Sequence, residues 1–164
     1  MQPAKRLRIR YASAAVLILW CLIFLNGCAA LKEFFGFVTK VDVSFEVSHD
    51  VNLSEDGKAS PIVVRMFEFE DVKEFKGADF FSLFDKEAAT IGQFILAKDE
   101  FEFRPGDQKH VERKTKPETK FIGIFAAYRD LDNAKWRAVI PLDNEKTNEI
   151  IVHLGSAGVQ ISKQ

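Results

Sequence analysis

Cysteine is scarce in this chain: of 164 residues, only Cys21 and Cys28 are cysteine. Histidine is little commoner, and His49, His110 and His153 stand in separate segments. No pair has the i, i+3 or i, i+4 spacing of a helical metal site, so no metal centre is expected. There is no G-x-S-x-G elbow and no glycine-rich phosphate loop, which removes the commonest nucleophile and nucleotide signatures. Asp85 with Glu87, and Asp99 with Glu100 and Glu102, read as solvated faces rather than acid–base pairs. No apolar run reaches the ~20 residues of a membrane-spanning helix. The longest, Tyr11 to Leu25, has 15, and neither repeats nor low-complexity tracts occur. An enzyme is not expected, and nor is a cofactor or a small-molecule substrate.

Acidic residues are also missing, but only from one place. None of the 24 precedes Cys28, while Lys5, Arg6, Arg8 and Arg10 lead into the apolar run. A basic start, an apolar middle and a small-residue cleavage site make a secretory signal peptide over residues 1–27, with a retained signal anchor as the rival reading. The run ends in Leu25-Asn26-Gly27-Cys28, the lipobox pattern of a bacterial lipoprotein. Cys28 is then the first mature residue and the lipid attachment site, carrying a diacylglycerol and an N-acyl group. Each buried CH₂ contributes ~0.8 kcal/mol and one acyl chain holds only marginally, so a multiply acylated cysteine supplies the stable anchor. Ala29, rather than Asp, follows it, which by the usual sorting convention directs a Gram-negative lipoprotein to the outer membrane.

Cleavage discards Cys21, leaving no second cysteine for an internal disulfide. The remaining 137 residues suit one domain. Four of the 23 basic residues leave with the signal, so the mature chain carries five net negative charges and no footprint for nucleic acid. Stability has to come from a core, and 16 phenylalanines are available for it.

Residues 28–39 form a lipidated tether, and 40–164 the folded domain. In Val41 to Ser48, Val41, Val43, Phe45 and Val47 alternate with polar residues, the period of a half-buried strand. His49 to Ser60 is polar apart from Val51 and Leu53 and reads as a loop, long for a connection between neighbouring strands. Ile62 to Phe69 is a strand apolar on both faces except at Arg65 and Glu68. Over 71–94 the pattern turns helical. Asp71 with Glu74 resembles a capping box, Val72, Phe75, Phe80 and Leu83 or Phe84 recur at helical spacing, and Asp79 is a second cap.

Strands resume around Phe101–Phe103, Lys109–Thr115, Phe121–Tyr128, Trp136–Ile140 and Ile150–Leu154, with Val159 and Ile161 on a possible edge. Seven or so short strands make a mainly β chain, a β-sandwich of seven to eight strands with a small helical insertion. Lys109, Arg113, Lys114, Lys116 and Lys120, interrupted by Glu112 and Glu118, read as ordinary surface. His153, on a strand, reads as structural.

The sequence also resembles a known family. Asp56 to Phe69, Ala78 to Asp85, Phe101 to Gly106, Ile124 to Leu131 and Trp136 to Pro141 follow the lipobox in the order and spacing of the TssJ (SciN, VasD) lipoproteins of the type VI secretion system. The resemblance implies a transthyretin-like β-sandwich with a helical insertion. It implies a structural role at the outer membrane, in a complex with TssM and TssL, and binding to the periplasmic C-terminal region of TssM. TssL would be reached indirectly through the complex. In that family the loop between the first two strands makes an important part of the contact.

The corresponding residues here are Asp50, Val51, Asn52, Leu53, Ser54, Glu55, Asp56, Gly57 and Lys58. Val51 and Leu53 would be apolar anchors within a polar rim that includes Asn52, and Gly57 would supply a positive φ at the tip. Two other readings stay open. One is a lipid-anchored periplasmic ligand-binding protein with an apolar pocket; the other is a lipoprotein hydrolase with a convergent nucleophile.

Overall fold

The computed structural model describes residues 38–164. The signal peptide, the lipobox Leu25-Asn26-Gly27, the lipid site Cys28 and nearly all of the tether lie outside the described residues. Eight strands are present: β1 (Lys40–Val47), β2 (Ile62–Phe69), β3 (Ile95–Phe103), β4 (Gln108–Lys114), β5 (Phe121–Ala126), β6 (Arg137–Pro141), β7 (Thr147–Gly155) and β8 (Gly158–Lys163). They form two four-stranded sheets, ordered β4-β1-β7-β8 and β3-β2-β5-β6. The chain is mainly β, as its alternating segments predict.

β1 does not pair with β2. It runs antiparallel to β4 and parallel to β7, in the other sheet from β2. The segment after β1 is therefore a crossover between sheets, not a hairpin. Packed sheets lie ~10 Å apart, which accounts for a connection too long for adjacent strands.

The sheets enclose an aliphatic core. Val41, Val43, Phe45 and Val47 of β1 and Ile150, Val152 and Leu154 of β7 face Ile62, Val64 and Met66 of β2 and Ile122 and Ile124 of β5. β2 and β5 are buried on their other face too, because three short helices lie over it: α1 (Lys73–Gly77), α2 (Phe80–Asp85) and α3 (Glu87–Thr90), followed by a 3₁₀ turn at Gly92–Phe94. Phe67, Phe69 and Phe125 meet Val72, Phe75, Leu83 and Ile91 there in a second, largely aromatic core. Gly123 makes this possible. A Cβ on it would come within 2.7 Å of the Phe69 ring and 3.1 Å of Phe75.

Helices of four to six residues leave many carbonyls without internal partners, and two arginines of the sheet satisfy several. Arg65 donates to Leu83 O (3.0 Å) and Phe84 O (3.2 Å), while Arg137 donates to Phe75 O (2.9 Å) and Ala78 O (2.6 Å). Asp79 caps α2, accepting from Ser82 N at 3.0 Å. The capping box expected at Asp71 and Glu74 does not form. Val72 occupies the cap position without a side-chain bond, and Asp71 instead accepts from Lys73 N at 2.9 Å.

Arg113 departs from its reading as ordinary surface. It points into the sandwich, 2.9 Å from Glu68 and 2.5 Å from Asp99. Glu68 is only 1% exposed and also accepts from the Thr119 hydroxyl (2.7 Å) and Lys116 N (2.9 Å). A buried charge is tolerated only when paired and hydrogen-bonded, and these partners meet that condition while stitching one sheet to the other.

Candidate interaction surface

β1 carries the chain from one end of the sandwich to the other, roughly 25 Å at ~3.3 Å per residue. The chain enters it at Lys40, and the candidate loop follows at the far end. That loop is well organised. Ser54 N donates to Lys58 O, and Gly57 N to Ser54 O, both at 2.8 Å; Gly57 takes φ +71 at the tip. Leu53, Glu55, Asp56 and Lys58 are exposed, Ser54 half-buried.

Two residues do not sit where the rim-and-anchor expectation puts them. Val51 is fully buried in the core between the sheets and is not offered to a partner. Asn52 is buried as well and adopts φ +50, a left-handed conformation that Asn tolerates better than most residues. Its side-chain amide donates to Pro61 O (2.8 Å), and its carbonyl oxygen accepts from Arg129 N (2.9 Å). The two residues root the loop. Leu53, 38% exposed, is left as its exposed apolar side chain.

The Arg129 bond ties the loop to the segment between β5 and β6, a connection that local composition did not reveal. A third element joins them. The Tyr128 hydroxyl donates to Gly155 O at 2.9 Å, next to the β7–β8 turn. Burial, with the nearby Asp50 charge, pushes the Tyr128 hydroxyl well above its ordinary pKa. Hydrogen bonds from Ser48 and then Ser156 hold the Asp50 carboxyl below the usual range. Together the three loops border an open cleft of about 660 Å³, lined by residues 52–56, 128–130 and Ser156.

Ser44, His110 and Asp42 do not make a catalytic relay. Ser44 and Asp42 both approach the same ring nitrogen of His110, at 3.4 and 3.2 Å, on an exposed strand face. A relay needs the two ring nitrogens divided between hydroxyl and carboxylate. Among the described residues no cluster of three or more His, Cys, Asp or Glu could hold a metal ion. His153 is half-buried on the outer face of β7.

A family model described as type VI secretion lipoprotein (VasD, EvfM, TssJ) matches residues 39–157. The chain belongs to this family. Members are lipoprotein components of the secretion apparatus, not enzymes. Among solved structures, TssJ1 from Pseudomonas aeruginosa is 33% identical with a TM-score of 0.74, over 77% of this chain and 97% of that one. Serratia marcescens Lip, a membrane-bound component of the type VI secretion system, is 26% identical with a TM-score of 0.71, over 77% and 98%. A chain in a structure of the TssM C-terminal domain (869–1107) from EAEC shares the fold, at 20% identity and a TM-score of 0.62, over 75% and 97%. No curated protein matches the chain.

Proposed function

We propose that this type VI secretion lipoprotein ties the trans-envelope complex to the outer membrane. Cys28, acylated after removal of residues 1–27, holds the periplasmic face of that membrane through the 28–39 tether. The Asp50–Lys58 loop binds the periplasmic C-terminal region of TssM, and TssL is reached through TssM. The observation that carries this is the length of β1: the loop stands at the end of the sandwich opposite the one where the chain arrives from Cys28. A domain whose chain enters at one end and which carries an ordered, partly apolar loop at the other suits a bridge. A fold shared with a chain in a TssM C-terminal domain structure supports the choice of partner.

The test is co-purification from the native host. Tagged full-length chain is extracted in detergent beside a Cys28→Ser copy and a copy shortened between Asn52 and Lys58. TssM should accompany the wild-type and the soluble Cys28→Ser protein, and be lost from the shortened one while that domain stays folded. Clean recovery of wild-type protein without TssM would sink the reading and bring the ligand-binding alternative forward.

A further inference from the structure

The cleft beside the loop adds chemistry that the loop alone lacks. We propose that it receives a basic stretch of the partner protein, with the β5–β6 segment as its second wall; this rests on the TssM reading above. Glu55 and Asp56 on one wall and Asp130 on the other are exposed, against a single lining cation, Arg129. Glu55 and Asp56 have no ion pair or side-chain hydrogen bond among the described residues, so both carboxylates are free for a cation. Leu53 stands in the same cleft as an apolar contact. Such a site fits an extended segment with Lys or Arg beside an apolar side chain, because acidic walls favour and steer cationic partners. It repels nucleic acid.

The cleft is also built in advance. Asn52 joins the two walls through Arg129 N, and Tyr128 joins the second wall to Gly155. A site whose walls are already locked together loses little conformational freedom on binding, which favours affinity. The partner therefore meets a composite of three connections rather than one loop.

The experiment is a titration of full-length chain in detergent with the TssM C-terminal region, at low and at high salt. One variant carries Glu55→Lys with Asp56→Lys. A second, Asp130→Asn, removes a charge but keeps an oxygen that can accept from Asn133 N, as Asp130 does now at 3.2 Å. Glu149→Lys, on the exposed face of β7, is the control. The double variant should bind ~10-fold more weakly at low salt and Asp130→Asn ~3-fold, both effects shrinking as salt screens the charges. The control should stay within ~2-fold, in line with a charge distant from the contact. Unchanged or tighter binding by Asp130→Asn overturns the composite cleft. Retained binding after shortening residues 53–57 overturns the loop contact and the cleft with it, whereas no binding by the wild-type chain overturns the underlying TssM reading instead. Far-UV circular dichroism confirms that each variant is folded.

Discussion

The two cores of this sandwich are made differently. Between the sheets, Val, Ile and Leu from strands spaced along the whole chain interlock at period two. Beneath the insertion, Phe67, Phe69 and Phe125 meet Phe75 and Leu83, which arrive on helices too short to be stable alone. The rings of Phe67, Phe69 and Phe75 lie 5.1–5.6 Å apart, within the range of favourable aromatic pairs. The first core is the fold itself. The second is a lid held by rings, one glycine and two arginines, and its helices exist because the sheet gives them something to cover.

That difference can be broken most forcefully by truncating one residue from each core. Phe75→Ala should cost ~3–5 kcal/mol and Ile124→Ala ~2–5 kcal/mol. Their distribution is the sharper readout. Hydrogen exchange should show Phe75→Ala releasing the amides of 73–94 while β1 and β7 keep their protection, whereas Ile124→Ala weakens every strand. Equal loss across the sandwich in both variants would show the two cores to be one cooperative unit.

Gly123→Ala tests the contact from the sheet side. Its methyl would press on the Phe69 and Phe75 rings, and a thermal melt should register ~1–3 kcal/mol of destabilisation. Asp79→Ala removes the α2 cap, with a smaller fall in melting temperature than Gly123→Ala. Hydrogen bonds from Ser82 hold the Asp79 carboxyl below its ordinary value of 3.8. A depressed folded-state pKa makes the cap's contribution complete above that value and lost as pH falls through the folded pKa. Melts of wild type and Asp79→Ala should therefore converge in acid. Smallest in stability is Leu53→Ala, which belongs to neither core and should shift the melt by less than ~0.5 kcal/mol. If Leu53 is the apolar contact proposed, the same change weakens TssM binding ~10-fold or more.

The legibility of the chain follows the same division. β1 was readable because each of its residues has one neighbourhood, core or water, and Val41 to Val47 alternate accordingly. The outer limits of the insertion and the Asp79 cap were readable from local spacing. The Asp71 cap was not, because cap geometry depends on how the chain leaves β2 rather than on which residues stand three apart. Glu68 and Arg113 look like two separate charges when 45 positions separate them, and only the meeting of the two sheets buries Glu68 against a half-buried Arg113. Val51 and Asn52 were misplaced for a related reason. Composition marks a segment as a loop but does not say which of its residues turn inward, and Asn52 finds its partner at Arg129, far along the chain.

By itself the sequence determined what depends on neighbours a few residues away. Those are the strand periods, the helical stretch, the turn glycines and the order of blocks that marks the family. Tertiary structure alone decided what depends on distant segments meeting. It set the crossover that turned a long loop into an inter-sheet connection, the burial of Glu68, and the wiring of three loops around one acidic cleft. The physical reason is range. Backbone preference and side-chain periodicity act over a few residues, whereas burial and ion pairing are settled only when remote parts of the chain exclude water together.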